Sequence, residues 1–108
     1  MDSLPLLMKT DQKENEEIER MKDYKTFVVV GGLWFDKVNG NTYHNARILD
    51  AETGEEYYTG FEYGYGSAYY ASARDYIINK LGQPVGAFKL LNMGAFYVKN
   101  RDLKNNNF

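Results

Sequence analysis

The chain contains no cysteine, and this absence removes several classes of chemistry at once. Disulfides, thiolate metal ligands and cysteine nucleophiles are all excluded. Histidine is almost absent too, because His44 is the single example, and one imidazole without cysteine partners does not make a zinc site. We therefore expect neither a metal nor a cofactor, and the absence of cysteine fits a reducing compartment.

Long apolar runs are also missing. The apolar stretch Leu4–Met8 is far shorter than the roughly 20 residues that cross a bilayer, and Asp2 stands where a signal peptide carries positive charge. A net charge of −2 gives no general attraction to nucleic acid. The sequence therefore predicts a soluble intracellular protein with no membrane partner, and its acidic balance disfavours nucleic acid.

What the chain has in excess is aromatic residues, which make up 16% of it and include ten tyrosines. A tyrosine combines an apolar ring with a hydroxyl that prefers water, so it suits both half-buried sheet faces and binding surfaces. The tyrosine surplus favours a binding function without establishing one.

The length of 108 residues allows one hydrophobic core. Residues 1–10 contain Pro5 and no periodicity, which predicts a flexible arm. Residues 11–103 predict a single α+β domain, and residues 104–108 predict a flexible tail. The domain begins with a polar helix from about Asp11 to Lys22, since Asp11 and Glu14 form a capping-box pattern.

Three β-branched and aromatic segments predict a three-stranded antiparallel sheet. The strands are expected at 25–36, 43–50 and about 56–63, with turns at Asn39-Gly40 and at Gly54. Gly31 and Gly32 interrupt the first strand, which is typical of a bulge or a close backbone approach. Alternation divides the second strand into two faces and predicts that one side of the third strand faces the core. The second-strand faces are Tyr43, Asn45, Arg47 and Leu49 against His44, Ala46 and Ile48, and the core side of the third strand is Tyr57, Thr59, Phe61 and Tyr63.

An amphipathic helix over residues 68–81 is predicted to pack on one face of this sheet. Ser67 is its expected N-cap, and Gly82 and Pro84 end it. Its predicted apolar stripe consists of Tyr70, Ala73, Ile77 and Leu81. One or two short strands should follow, one near 95–99, with a hairpin through 92–94 as the option for two.

The glycine-rich corner "YGYGS" before this helix allows two interpretations. Gly64 and Gly66 let the chain turn sharply, and this is an ordinary fold device. The functional interpretation is an anion site at the helix N-terminus, in which Tyr65, Ser67 and Tyr69 surround the ligand and Arg74 and the basic C-terminal residues contribute charge.

We identify no catalytic residue in the sequence. His44 would need Asp36, Asp50 or Glu62 beside it to act as a general base, and no nucleophile–base motif is present, so we expect a protein that is not an enzyme. Trp34 and Phe35 face opposite ways, so at least one is expected in the core, and the other must be covered by the first helix, by the C-terminal segment or by a partner. An aromatic face that stacks bases is less favoured, because Arg47 is the only basic residue on the Tyr43 face. The candidate interaction residues are Trp34, Tyr43, His44, Tyr65, Ser67, Tyr69 and Arg74.

The segments "WFDKVNGNTYHNARI" and "FEYGYG" resemble small uncharacterised bacteriophage proteins over about residues 33–81. This resemblance implies a viral origin and carries no biochemical assignment. The order helix, three antiparallel strands, helix also resembles the double-stranded-RNA-binding domain. That family has a lysine-rich cluster at the start of its second helix, whereas this chain has Ala68, Tyr69, Tyr70 and Ala71 there, so the resemblance implies the fold and not the phosphate affinity.

These observations lead to one functional hypothesis and one alternative. The hypothesis is a non-enzymatic phage accessory protein of the host cytoplasm that binds a host or phage protein, for example to inhibit a defence or replication factor, or that is a minor component of the virion. The alternative is a nucleic-acid or nucleotide-anion binding module centred on Ser67. A homodimer through an edge strand or the Trp34/Phe35 pair is left open.

Overall fold

The computed structural model describes residues 24–108, which form a five-stranded sheet and two helices. The predicted arm at 1–10 and the predicted polar helix at 11–22 lie outside the described residues. The strands are β1 (Lys25–Asp36), β2 (Asn41–Asp50), β3 (Glu56–Tyr58), β4 (Glu62–Tyr63) and β5 (Phe88–Tyr97). The helices are α1 (Ala68–Asn79) and α2 (Asn100–Lys104).

The sheet is mixed, with the order β3-β2-β1-β5 and with β4 pairing to β2 beyond β3. β1, β2, β3 and β4 pair antiparallel, but β5 lies parallel to β1. The α+β class is therefore confirmed, whereas the expectation of a purely antiparallel sheet is wrong. The reason is that α1 crosses over the sheet between β4 and β5, and a crossover of this kind returns the next strand in the parallel direction.

The core lies between α1 and one face of the sheet, which we call the α1 side. Phe27 and Val29 of β1 point to this side together with Ala46 and Ile48 of β2, and all four are buried. The register pairs Val29 with Ile48 and Gly31 with Ala46, so the alternation predicted for β2 is confirmed. The opposite face, which we call the α2 side, carries Trp34, Tyr43 and Arg47.

Helix α1 has the predicted position but a rotated apolar stripe. Its buried residues are Tyr69, Ala73 and Ile77, spaced by four, whereas the prediction began the stripe at Tyr70. Tyr70 and Leu81 pack at the margin of the core. Ser67 occupies the N-cap position, but among the described residues its side chain forms no capping hydrogen bond.

The adjacent glycines of β1 are sites of close approach, as predicted, and each serves a different face. A Cβ on Gly31 would lie 2.5 Å from the Tyr69 ring of α1. A Cβ on Gly32 would lie 2.8 Å from Leu103 of α2. The glycine pair therefore lets both helices pack directly on the strand.

The predicted third strand is broken between Tyr58 and Glu62. The Oδ1 atom of Asn45 accepts a hydrogen bond from Gly60 N–H at 3.0 Å, and Thr59 Oγ1 accepts one from Ala46 N–H at 3.0 Å. Beside these side-chain bonds, Thr59 N–H still donates to the Ala46 oxygen at 3.0 Å. The break shifts the alternation by one residue. Tyr57 therefore points to the α1 side as predicted, but Tyr63 pairs with Tyr43 and points to the α2 side.

The C-terminal part forms one long strand, so the optional hairpin through 92–94 is not formed. An extra residue at Met93–Gly94 produces a bulge against β1, with Gly94 at a φ of 93°. Residues 104–108, which were expected to form a flexible tail, pack against the α2 side. Arg47 donates a hydrogen bond to the backbone oxygen of Phe108 at 2.9 Å, and the Phe108 ring contacts Tyr58 and Phe96.

Neither helix in residues 24–108 has the length and apolar character of a membrane-spanning segment.

Candidate functional site

Four aromatic side chains come together on the α2 side and form the aromatic cluster: Trp34, Tyr43, Phe61 and Tyr63. The Trp34 and Tyr43 rings are stacked with centroids 5.7 Å apart, and Tyr43 and Phe61 are stacked at 4.8 Å. The Tyr63 ring meets Tyr43 edge-on at 5.8 Å. The cluster exists because Trp34 and Tyr63 each lie opposite Tyr43 in the sheet register.

The cluster is bordered by the basic end of the chain. Helix α2 packs on the same side through the buried Leu103, and this places the ammonium group of Lys104 5.1 Å from the centre of the Phe61 ring. A cation over a ring face is an attractive arrangement. The sequence-based objection that Arg47 was the only basic residue on this face is therefore wrong, because α2 brings Lys104 to it.

The stacking within the cluster determines which parts of the rings are available. Trp34 and Phe61 both contact Tyr43, but their own ring centroids are 6.4 Å apart, so they do not lie on opposite faces of the Tyr43 ring. Lys104 lies over the Phe61 ring, so a nucleobase, which needs a free ring face to stack, would compete with it there. Tyr63, which is 64% exposed, is the most accessible ring of the cluster.

His44 lies on the other side of the sheet and is only 2% exposed. Its Nδ1 atom is 3.2 Å from the backbone oxygen of Gly64, and its Nε2 atom is 2.8 Å from Ser72 Oγ on α1. Ser72 Oγ is in turn 3.0 Å from the Oε2 atom of Glu62 on β4, and the same oxygen lies 3.5 Å from His44 Nε2, so Glu62 is the carboxylate beside His44. Burial removes His44 from any contact surface, so its inclusion among the interaction residues is wrong.

Glu62 and Ser72 open onto a shallow cavity of about 240 Å³. Its other lining residues come from the broken third strand and from α1: Thr59, Asp75, Tyr76, Asn79 and Lys80. The nucleophile-and-base geometry of Ser72 and His44 resembles a catalytic pair. However, Glu62 competes with His44 for the serine proton, so the arrangement works equally well as a series of hydrogen bonds from the buried imidazole to the exposed carboxylate.

The residues proposed for an anion site at the helix N-terminus do not converge. Tyr69 is buried at 6% exposure beneath the helix, which excludes it from a ligand contact, while Ser67 and Tyr65 are exposed at the corner. Arg74 lies seven residues further along the helix, about 10 Å at 1.5 Å per residue. It lines a separate cavity of about 180 Å³ together with Tyr70, Gly86, Phe88 and Leu90.

Two aspartate carboxylates have pKa values below the usual value. Burial raises the pKa of Asp50, but hydrogen bonds from the Glu52 and Thr53 backbone N–H groups and from the Lys25 ammonium outweigh it, so the pKa lies below its usual value. The side chain of Asn39 lowers the pKa of Asp36 in the hairpin turn. Both carboxylates fix turns, so we assign them a structural role.

A hydrogen bond to Glu55 raises the pKa of the Tyr57 hydroxyl to about 12. Tyr57 therefore stays protonated as a donor at any physiological pH. Within residues 24–108, no group of three or more histidine, aspartate or glutamate side chains is placed to hold a metal ion.

Comparison with known proteins adds no family: no protein-family model, no curated protein and no solved structure matches this chain significantly. The bacteriophage resemblance of the sequence stays a prediction.

The sequence identified Trp34 and Tyr43 but missed their partners. Phe61 and Tyr63 were assigned to the core because an unbroken strand was assumed, and Lys104 was assigned to a free tail. The signal for the break was Gly60, which adopts a φ of 100° and follows a threonine that can replace a ladder bond.

Proposed function

We propose that this protein is a non-enzymatic binding module that recognises another protein through the aromatic cluster. The main support for this proposal is that a tryptophan, two tyrosines and a phenylalanine lie together on one sheet face beside a lysine. Tryptophan and tyrosine are the residues that contribute most to protein–protein binding energy. The bacteriophage resemblance makes a host or phage protein the proposed partner, with inhibition of a host factor or a place in the virion as its two versions.

The net charge of −2 and the packing of the rings against one another support a protein partner over a nucleic acid. The stacked rings brace one another, so little side-chain entropy remains to be lost on binding. The hydroxyl groups of Tyr43 and Tyr63 can pair with side chains and backbone groups of a protein. A base would have to displace Lys104 from the Phe61 ring.

The test is an affinity capture from host lysate with the intact tagged chain, with and without nuclease. We expect a stoichiometric protein that survives nuclease and whose capture weakens with Tyr63→Ala, because the Tyr63 ring is 64% exposed. Loss of this tyrosine should weaken binding about tenfold or more, which corresponds to 1.4 kcal/mol. Tyr97→Ala is the matched control, because Tyr97 is 70% exposed on β5, outside the cluster.

Equal capture by wild type and Tyr63→Ala would contradict the proposal, as would capture that nuclease abolishes. The nucleic-acid and anion alternative has less support, because Tyr69 is buried and Arg74 lies far from Ser67. Binding that weakens steeply with salt would favour that alternative.

A further inference from the structure

The hydrogen bonds of the buried His44 lead to an inference about what holds Tyr63, the exposed ring of the aromatic cluster, in position. A carbonyl oxygen only accepts hydrogen bonds. Since Nδ1 of His44 lies 3.2 Å from the Gly64 oxygen, Nδ1 must carry the hydrogen and donate it. In the neutral imidazole the other nitrogen, Nε2, is then an acceptor.

This assignment determines how many hydrogens are available for the contacts that link His44, Ser72 and Glu62. Ser72 has one hydroxyl hydrogen. If it donates to Nε2 of a neutral His44, the 3.0 Å contact between Ser72 Oγ and an ionised Glu62 has no hydrogen. With one additional proton every contact is satisfied: protonated His44 donates to Ser72, and Ser72 donates to Glu62. The same count holds if Glu62 carries the proton and donates to Ser72.

We propose that the Glu62–Ser72–His44 chain is a one-proton switch that holds β4 and the glycine corner in place. When the proton leaves, the Ser72–Glu62 contact loses its hydrogen and the carboxylate turns to solvent. The Glu62 side chain is already 50% exposed, so its carboxylate can turn to solvent. β4 has only two residues, and the second is Tyr63, so its release moves the exposed ring of the aromatic cluster.

The packing around the imidazole transmits the change. A Cβ on Gly64 would lie 2.9 Å from the His44 ring, so the Gly64 backbone packs directly against the ring. The Gly64 oxygen also accepts the hydrogen bond from Nδ1. Gly64 N–H also donates to the Thr42 oxygen at 2.9 Å. Movement at His44 or Glu62 therefore reaches the corner on both sides of Tyr63.

The groups that face this chain come from three elements. β1 contributes the apolar Leu33 opposite His44, and β4 contributes Glu62. Helix α1 contributes Ser72 and the other titratable residues of the cavity, Asp75, Tyr76 and Lys80. Within residues 24–108, Glu62 is the carboxylate that contacts both Ser72 and His44, so it is the group to change.

The decisive variant is Glu62→Gln. A glutamine amide donates to Ser72 when His44 is neutral and accepts from Ser72 when His44 is protonated, so the chain is complete in both states without a gained proton. Glu56→Gln on β3 removes the same charge from an exposed position and is the matched control. Because the chain has a single histidine, its ring signals are unambiguous in nuclear magnetic resonance spectra.

The experiment follows the His44 ring and the backbone amides of residues 62–66 in the intact protein over a series of pH values. We expect Nδ1 to be protonated throughout. The amides of wild type and Glu56→Gln should shift with the same midpoint as the ring, and those of Glu62→Gln should shift less.

Three results would overturn the switch: a neutral ring with its hydrogen on Nε2, a ring that does not titrate, or amides that move equally in Glu62→Gln. The proposal rests on the proposed function only in linking Tyr63 to a partner. Affinity for a captured partner should change with the same midpoint in wild type and not in Glu62→Gln. A failure to capture any partner would leave the spectroscopic result intact, so the two failures are distinguishable.

Discussion

At the scale of single residues, the fold depends on positions where a side chain is absent or where a polar group replaces a backbone bond. Gly31 and Gly32 are adjacent, so they face opposite ways, and each receives a large side chain from a different helix. The side-chain amide of Asn45 is buried, and both its nitrogen and its oxygen form hydrogen bonds. It donates to the Leu103 oxygen and to Asn106, and it accepts from Gly60. Such a residue fixes the positions of β2, α2 and the strand break together.

Asp50 gives a prediction about acid stability. Its carboxylate accepts hydrogen bonds from Glu52, Thr53 and Lys25, which place its folded-state pKa below the unfolded value of about 3.9. A lowered folded pKa contributes stability above the unfolded pKa, and this contribution is lost as pH falls through the folded value. Asp50→Asn should therefore unfold more easily at neutral pH and lose part of the fall in stability on acidification.

Urea unfolding at a series of pH values from neutral to acid measures this difference. Asp75→Asn is the control, since it removes one exposed carboxylate from α1. If Asp50→Asn and Asp75→Asn gave the same pH profile, the turn bonds of Asp50 would not contribute to stability.

At the scale of elements, helix α2 is short but structurally important. It has five residues, too few to be a stable helix alone, so it depends on packing against the sheet. Leu103 is fully buried against Gly32, and the helix in turn positions Lys104 at the aromatic cluster. The segment therefore contributes both to the core of the α2 side and to the proposed binding surface.

Leu103→Ala should destabilise the protein by about 2–4 kcal/mol, because truncating a buried leucine leaves a cavity. Chemical unfolding followed by the fluorescence of Trp34, the single tryptophan, measures this change. Val85→Ala, at an exposed loop position, should change stability by less than about 0.5 kcal/mol. A Leu103→Ala variant as stable as Val85→Ala would mean that α2 does not pack on the sheet in solution.

At the scale of the whole molecule, several local elements and the antiparallel pairing of the first strands could be predicted from the sequence, whereas the break in the third strand and the pairing of β5 could not. Strand β1, the turns at Gly40 and Gly54, and α1 all follow from short patterns of glycine, β-branched and apolar residues. The position of β5 depends on which edge of the sheet is left open after α1, and no local pattern in Phe88–Tyr97 records it. The aromatic cluster was missed for the same reason, since it needs both the strand break and α2.

The parallel edge strand also raises the question of self-association. β5 lies at the sheet edge and exposes Leu91, Met93, Phe96 and Tyr97, which is a surface that could template pairing with another chain. Two features oppose this pairing. The bulge at Met93–Gly94 interrupts the regular edge, and Lys89 places a charge near its start.

Lys89→Val should therefore increase self-association, because it removes the charge and raises the β-propensity of the edge. Sedimentation velocity over a range of protein concentrations measures the change, and we expect dimers or larger species to appear at lower concentration than in wild type. Lys80→Val removes the same charge from the exposed end of α1, away from the edge, and should sediment as wild type does. If both variants associated equally, loss of charge alone would explain the effect, and if neither did, the bulge would be sufficient to protect the edge.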